Sequence, residues 1–298
     1  MKAGTLLRIS SLTATALLVL AASSPSTIAE KLRAASPPSA PEAPPPVHLA
    51  NISTRLAVGS GDSVLIAGFI VTGSQPKKII VRALGPLLPV NENLADPTLE
   101  LHDSSGATVA TNDNWRDTQQ DALVATTIPP TSDYDSAMVR TVNPGAYTAV
   151  LAGKGGTTGV GVVEVYDLDL TVDSKLANIS TRGLVDQGDN VLIAGTIVLG
   201  NGTTNVLFRA IGPSTGIPNA LQDPTLELHD GQGGIIATND NWQDDPNQAA
   251  AIQATTIPPS DPREAAILRQ LSPGAYTAIV RGKNNTKGVA VVEAYQIN

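Results

Sequence analysis

Short stretches with the patterns of β-strands follow one another along the chain after residue 48, some with alternating apolar and polar residues and others as β-branched runs. In "TLELHD" (98–103), Leu99 and Leu101 occupy one face and the polar residues occupy the other. Other stretches, such as 63–71 and 77–84, are β-branched runs that end at Gly, Ser or Pro. About eight such strands fit into about 120 residues, which predicts an antiparallel β-sandwich.

This pattern occurs twice. "LANISTR" begins at Leu49 and again at Leu176, an offset of 127 residues, whereas "PGAYTA" recurs with an offset of 129. A small insertion therefore lies between the positions that correspond to 117 and 128. The period is far longer than that of a solenoid repeat, so we expect each copy to be a complete domain with its own core. The predicted boundaries are 49–169 for copy 1, 170–175 for a linker and 176–298 for copy 2.

The sequence thus predicts an all-β fold of two tandem antiparallel β-sandwich domains of jelly-roll type, each with one short helix. "DSSG" (103–106) predicts a tight turn within a hairpin, and "KGGTTG" (154–159) predicts a second hairpin between the strands on either side of it. Asp245 followed by Pro246 is typical of a helix start. Asp117 is expected to cap the equivalent helix of copy 1.

Composition and charge narrow the range of functions. Hydrophobic residues make up 42% of the chain and charged residues 15%, as in a globular protein with a sizeable core. Aromatic residues are only 3%, so this core must be aliphatic. The net charge of −8 argues against nucleic acid or an anionic membrane surface as a partner. The chain has no cysteine, so disulfides cannot stabilise it.

The N-terminal region is typical of an exported protein. Lys2 and Arg8 precede or border an apolar stretch at 12–22, which is too short to span a membrane and favours a secretory signal peptide at 1–29. The Pro-rich segment at 30–48 predicts an extended polyproline II spacer. We therefore expect a mature chain without a membrane span, secreted outside the cell or held in the cell envelope.

The second half of each copy carries three recognisable stretches. In copy 1 they are "DPTLELHDSSGATVATNDNW" (96–115), "DSAMVRTVNPGAYTAVLAG" (135–153) and "VGVVEVYDL" (160–168). Together they resemble the bacterial pre-peptidase C-terminal domain, a secreted β-sandwich of jelly-roll type. The preceding "LANISTR…RALGP" half is similar to part of a longer repeat found in tandem in exported bacterial proteins. The resemblance implies an accessory module that aids stability, binding or secretion, sometimes with calcium.

Acidic residues cluster around the "NDN" loops at one end of the first predicted hairpin. The candidate calcium ligands are Asp103, Asp113 and Asp117 in copy 1 and Asp230, Asp240 and Asp244 in copy 2. Such loops supply the carboxylate, amide and backbone oxygens that Ca²⁺ prefers. The alternative is local, because Asp at the first position of a turn binds backbone amides and Asp before a helix caps it.

Four further residues are candidate ligand contacts. Trp115 and Trp242 are the only tryptophans, and each could stack on an extracellular glycan or instead fill the junction between sheet and helix. Arg82 and Glu100 lie in predicted strands of copy 1, as do Arg209 and Glu227 in copy 2 and the glutamates of "VVEVY" and "VVEAY", Glu164 and Glu293. These charges favour cross-strand pairs that fix the register, with a bound carboxylate or phosphate as the alternative.

The sequence contains few residues or motifs that are typical of an enzyme active site. The chain has three histidines, and His102 is followed by Asp103, whose side chain points to the opposite face of the strand, so a Ser-His-Asp triad is not formed there. Signature motifs of hydrolases, zinc enzymes and phosphate-binding loops are absent. We therefore predict a non-catalytic binding, adhesion or accessory module for an extracellular glycan or protein. The alternatives are a hydrolase with Asp or Glu in a cleft between the domains and a purely structural envelope or matrix protein.

Overall fold

The computed structural model describes residues 47–188 and 190–297. The predicted signal peptide and nearly all of the predicted Pro-rich spacer lie outside the described residues. No helix in the described ranges is both long and apolar enough to cross a membrane.

Within the described ranges, each copy contains eight strands and one short α-helix, which confirms the predicted all-β fold. In copy 1 the elements are β1 (His48–Val58), β2 (Leu65–Thr72), β3 (Lys77–Leu84), β4 (Pro97–Asp103), β5 (Thr108–Asn112), α1 (Gln120–Ala125), β6 (Ser136–Val142), β7 (Gly145–Gly153) and β8 (Gly159–Asp167). In copy 2 they are β9 (Lys175–Val185), β10 (Leu192–Leu199), β11 (Thr204–Ile211), β12 (Pro224–Asp230), β13 (Ile235–Asn239), α2 (Pro246–Ala254), β14 (Ala265–Leu271), β15 (Gly274–Gly282) and β16 (Gly288–Ile297).

The strands pair antiparallel and form two rows of eight. The first row runs β5-β4-β7-β2-β9-β16-β11-β14. The second row runs β13-β12-β15-β10-β1-β8-β3-β6. A single residue pair, Leu49 with Leu176, links β1 to β9 and so connects the two rows.

Each row crosses from one copy to the other. The first strand of each copy pairs with the second strand of the other copy: β1 lies beside β10, and β9 lies beside β2. Four strands of each copy therefore belong to each row. The duplication predicts two similar sets of strands, but it does not predict this exchange between them.

The two rows face each other, with β3 packed on β4 and β7 on β8, as in a sandwich. The main buried cluster between them contains Leu56 and Leu99 of copy 1 together with Phe208 and Leu228 of copy 2. One aliphatic core therefore serves both copies. The structure does not confirm an arrangement of two domains with separate cores.

The predicted hairpin across residues 154–159 is wrong. β7 pairs with β2 and β4 in the first row, whereas β8 pairs with β1 and β3 in the second. The connection carries the chain from one layer to the other. Alternation in the sequence shows which face of each strand is buried, but it does not show which strand supplies the hydrogen bonds.

The helix of copy 2 begins as predicted, and that of copy 1 does not. Asp245 is the N-cap of α2, and its side chain accepts hydrogen bonds from two backbone N–H groups of the first turn. Copy 1 lacks the inserted residues, so α1 begins later, after Gln119, which makes no side-chain capping bond. Asp117 accepts a hydrogen bond from the side chain of Asn114 instead, and the prediction that it caps α1 is wrong.

Candidate functional site

Arg82 and Glu164 form a buried ion pair in copy 1. They lie directly opposite each other on β3 and β8, with side chains that are 5% and 0% exposed. Nη1 of Arg82 also donates to the carbonyl oxygen of Ile128 at 2.8 Å. Burial opposes the charge of Arg82, but the nearby carboxylate of Glu164 outweighs it and raises the pKa of Arg82. The prediction that Arg82 forms a cross-strand pair is confirmed, with Glu164 as the partner, whereas Glu100 contacts His102 on its own strand.

The equivalent pair in copy 2 borders a pocket. Arg209 on β11 faces Glu293 on β16, and Nε of Arg209 lies 2.8 Å from Oε2 of Glu293. Their side chains are 14% and 13% exposed, and the pocket beside them holds about 350 Å³. The other polar residues that line it are Ser180, Ser214, Thr215 and Ser260, and the apolar residues are Ile211, Ile217, Pro259 and Val291. The ion pair itself has no net charge.

One loop distinguishes the two copies at this position. The pocket residues Ser214 and Thr215 correspond to Leu87 and Leu88 in copy 1. Leu88 is buried, whereas its equivalent, Thr215, is partly exposed; Leu87 and Ser214 are both exposed. Copy 1 therefore has an aliphatic side chain in the core at a position where copy 2 contributes a hydroxyl group to the pocket.

A buried carboxylate holds each of these loops. In copy 1, Oδ1 of Asp135 accepts a hydrogen bond from the backbone N–H of Gly85 at 3.0 Å. In copy 2, Oε1 of Glu264 accepts from the backbone N–H groups of Gly212 and Ser214, at 3.0 and 2.9 Å, and from the Ser214 hydroxyl at 2.6 Å. The longer glutamate thus anchors the pocket serine. Burial raises the pKa of Asp135 to about 6.

Asp103 and Asp230, which were predicted as calcium ligands, bind their own turns. Oδ1 of Asp103 accepts hydrogen bonds from the backbone N–H groups of Ser105 and Ala107, at 2.8 and 3.1 Å. Asp230 makes the same two contacts in its turn. Hydrogen bonds from Ser105 lower the pKa of Asp103. These contacts are those of the alternative interpretation, local turn chemistry.

Asp113 and Asp240 face lysines. Nζ of Lys154 lies 2.7 Å from Asp113 and 3.6 Å from Asp96, and Lys283 makes the equivalent contacts in copy 2. The hydrogen bond with Asp113 raises the pKa of Lys154, which keeps the ammonium charged. Within the described ranges, Oδ1 of Asp113 and Oδ1 of Asp240 are buried and make no hydrogen bond.

Asp117 and Asp244, the last members of the predicted calcium set, accept hydrogen bonds from the side-chain amides of Asn114 and Asn241, at 3.2 and 3.1 Å. In the part of the chain that the structure describes, no group of three or more His, Asp or Glu side chains is placed to hold a metal ion. The structure thus gives the six aspartates three different kinds of local partner. The calcium site stays a prediction.

Trp115 and Trp242 are buried, at 2% and 6% exposure. Trp115 packs with Leu123 of α1 and Val139 of β6, and its Nε1 donates to the carbonyl oxygen of Ser132 at 2.9 Å. A glycan platform requires an exposed ring face, and neither ring has one. Both tryptophans fill the junction between sheet and helix.

The first asparagine of each "NDNW" stretch, Asn112 or Asn239, has a structural role that was not predicted from the sequence. Oδ1 of Asn112 accepts a hydrogen bond from the backbone N–H of Ala137 at 2.9 Å, and Gln119 accepts from that of Val139 at 3.0 Å. β6 is the last strand of its row, so these N–H groups lie on its open edge. Asn239 makes the same contact in copy 2. Side-chain amides thus satisfy an edge that would otherwise pair with another chain.

A second feature that was not predicted from the sequence is the buried lysine Lys77. Nζ of Lys77 lies 2.9 Å from Oδ2 of Asp167, and both side chains are 1% exposed. Burial raises the pKa of Asp167, although Lys77 acts in the opposite direction. In copy 2 the equivalent residues, Thr204 and Gln296, form a neutral hydrogen bond of 3.1 Å. The sequence did contain an indication of this ion pair, because both residues are charged in copy 1 and both of their equivalents are neutral in copy 2.

Comparisons with known proteins do not assign this protein to a class, so only its fold defines one. No family model and no curated protein matches the chain. A DUF4785 family protein from Legionella pneumophila is 9% identical with a TM-score of 0.22, over 86% of this chain and 88% of its own. A chain of Sulfolobus Turreted Icosahedral Virus is 13% identical with a TM-score of 0.20, over 84% and 90%. Similarities this weak carry no conclusion, and the class is an all-β protein defined by its own strand pairing.

Proposed function

We propose that the protein is an exported, non-catalytic binding module of the adhesion or accessory type, and that its ligand binds beside Arg209 and Glu293. The observation that carries the proposal is the pocket of copy 2, where an ion pair that copy 1 buries is left within reach of solvent. The predicted signal peptide and the resemblance to the pre-peptidase C-terminal domain support export.

The lining favours a neutral, hydroxyl-rich ligand such as a sugar unit of an extracellular glycan. The charges of Arg209 and Glu293 cancel, so an anion gains little from the arginine. The Ser214 hydroxyl donates to Glu264 and the Thr215 hydroxyl donates to the carbonyl oxygen of Gly212, so both oxygens are oriented to accept hydrogen bonds from the hydroxyl groups of a sugar. The volume of about 350 Å³ is at the lower end of the range for small-molecule pockets and suits one sugar unit.

The proposal is tested by probing an array of neutral oligosaccharides with the fluorescently labelled full chain. We expect retention of at least one glycan class by the wild-type protein. The double substitution Ser214→Leu/Thr215→Leu, which installs the copy-1 residues, should abolish this retention because it removes two hydroxyl groups from the pocket and adds, at position 215, an aliphatic side chain like the one that copy 1 buries at Leu88. Circular dichroism and thermal unfolding check that the variant remains folded.

Leu87→Ser is the matched control, since it changes the equivalent exposed position of copy 1 and should leave glycan retention unchanged. Failure of the wild-type protein to retain any neutral glycan, or equal retention by the double variant, would exclude this pocket as the site. Turnover of a bound glycan that Glu293→Gln abolishes would favour the competing hydrolase hypothesis.

Calcium stabilisation is a separate part of the proposal. Asp113 and Asp240 are the members of the predicted set with a buried oxygen that lacks a hydrogen bond within the described residues, which supports them as ligands. Thermal unfolding with millimolar CaCl₂, and with MgCl₂ as the control, tests this part. A rise in the midpoint that Asp113→Asn and Asp240→Asn remove supports calcium, and no rise removes calcium from the proposal.

A further inference from the structure

The two copies meet along equivalent strands, β1 and β9. The hydroxyl groups of Thr54 and Thr181, which are equivalent residues, share a buried hydrogen bond of 2.8 Å. Leu49 pairs with its own equivalent, Leu176. Contacts between equivalent residues are the mark of a twofold axis, so the chain contains the internal counterpart of a symmetric dimer.

One position near this axis breaks the symmetry. The equivalent of Leu56 in copy 2 is Gly183. A Cβ atom on Gly183 would lie 1.6 Å from Cδ2 of Leu56, so a larger residue there would force the leucine side chain to move. Two copies of the first kind would place leucine against leucine at this point, which overpacks the interface.

We infer that each copy carries a pairing surface, and that the partner this surface fits is a copy of the other kind. The surface consists of the first strand together with the outer edge of the second strand. β1 pairs with β10 and β9 with β2 over seven residues each, so a copy without its partner leaves two long backbone edges open. Leu56 against Gly183 makes the pairing heterotypic, because it favours the mixed pair and penalises the pair of two leucines.

The first test cuts the chain between the copies. A protease recognition sequence is inserted after Thr171, an exposed residue between β8 and β9, and the purified full chain is cleaved. Native mass spectrometry at low micromolar concentration should show the two fragments as a 1:1 complex. Separate fragments would overturn the inference, as would homodimers of the copy-1 fragment in amounts comparable to the mixed complex.

The second test changes the contact at the axis. Gly183→Leu in the cleavable chain should weaken the fragment complex about 10- to 100-fold, since overpacking is the expected effect. The exchanged pair Leu56→Gly/Gly183→Leu restores one leucine facing one glycine and should bring the affinity back to within about tenfold of the wild type. Should Gly183→Leu fail to fold, the exchanged pair decides alone: an intact complex supports the inference and a lost complex overturns it.

Leu184→Gly is the matched control for the loss of a leucine. Leu184 is the next residue on β9 and is 43% exposed, on the face opposite to Gly183. The control should leave the fragment complex unchanged. Weakening by Leu184→Gly equal to that caused by Gly183→Leu would show that a change of residue on β9, and not the contact at the axis, accounts for the effect.

Discussion

Arg82 and Arg209 occupy equivalent positions and make the same ion pair, yet the first pair is sealed in the core and the second borders a pocket. The strands that carry them have the same pairing partners in each copy. The difference lies in the loop that follows the arginine strand and in the carboxylate that holds it. Duplicated strands thus preserved the scaffold, while a few loop residues changed what that scaffold exposes.

A second pair of equivalent positions differs in charge. Lys77 and Asp167 are ionic and fully buried, whereas Thr204 and Gln296 are neutral. A buried ion pair contributes little net stability, but removing one partner is costly because the other charge remains buried. Copy 1 therefore contains two such vulnerable pairs, and copy 2 contains one that is partly open to water.

The largest expected effect on the free energy of unfolding is the difference between breaking the Arg82 pair and breaking the Arg209 pair. Glu164→Gln should lower the free energy of unfolding by about 4 kcal/mol, because it leaves the Arg82 charge buried without a partner. Glu293→Gln should cost about 2 kcal/mol, because water reaches Arg209 through the pocket. Guanidinium unfolding at neutral pH measures both. Equal losses would contradict the difference in burial.

The next effect concerns Lys77. Lys77→Thr should cost about 3 kcal/mol, since Asp167 then stays buried without its ammonium partner. The double variant Lys77→Thr/Asp167→Gln installs the neutral pair of copy 2 and should cost about 1 kcal/mol. A double variant as unstable as the single one would show that packing, and not charge, determines the cost.

The pH dependence of stability should show the effect of the raised pKa of Asp135. Its pKa in the folded chain is raised from 3.8 to about 6, so the unfolded chain ionises first as the pH rises. The stabilisation from this group is complete below about pH 4 and is lost as the pH rises through about 6, a decrease of about 2 to 3 kcal/mol. Asp135→Asn should lack this decrease when unfolding is measured from pH 4 to pH 7. A parallel pH profile for wild type and variant would contradict it.

The smallest effect compares the helix starts. Asp245→Ala should lower the free energy of unfolding by about 1 kcal/mol, because two N–H groups of α2 lose their acceptor. Asp117→Ala should change it by less than about 0.5 kcal/mol, because Asp117 caps no helix. Thermal unfolding of both variants gives the comparison. A larger loss for Asp117→Ala would mean that its contact with Asn114 matters more than the cap.

Much of the local structure could be predicted from the sequence. Alternation of Leu99 and Leu101 with polar residues specified a strand with one buried face, and the "DSSG" signal specified the turn that Asp103 holds. Asp245 and Pro246 specified a helix start. The recurrence of Arg82 as Arg209 indicated a cross-strand pair. Each of these depends on interactions between residues that are near in sequence or on a pattern that is repeated.

The partners of the strands, in contrast, were decided only by the tertiary structure. β2 and β10 have similar sequences and are equally suitable neighbours for β1, so no local pattern could choose between them. The choice depends on long-range packing where the two copies meet, as at the contact of Leu56 with Gly183. The pocket depends likewise on where the loop with Ser214 meets Arg209, two groups brought together by the folded sheets. Side-chain periodicity determines which face is buried, but only the assembled backbone determines which edge and which cavity that face adjoins.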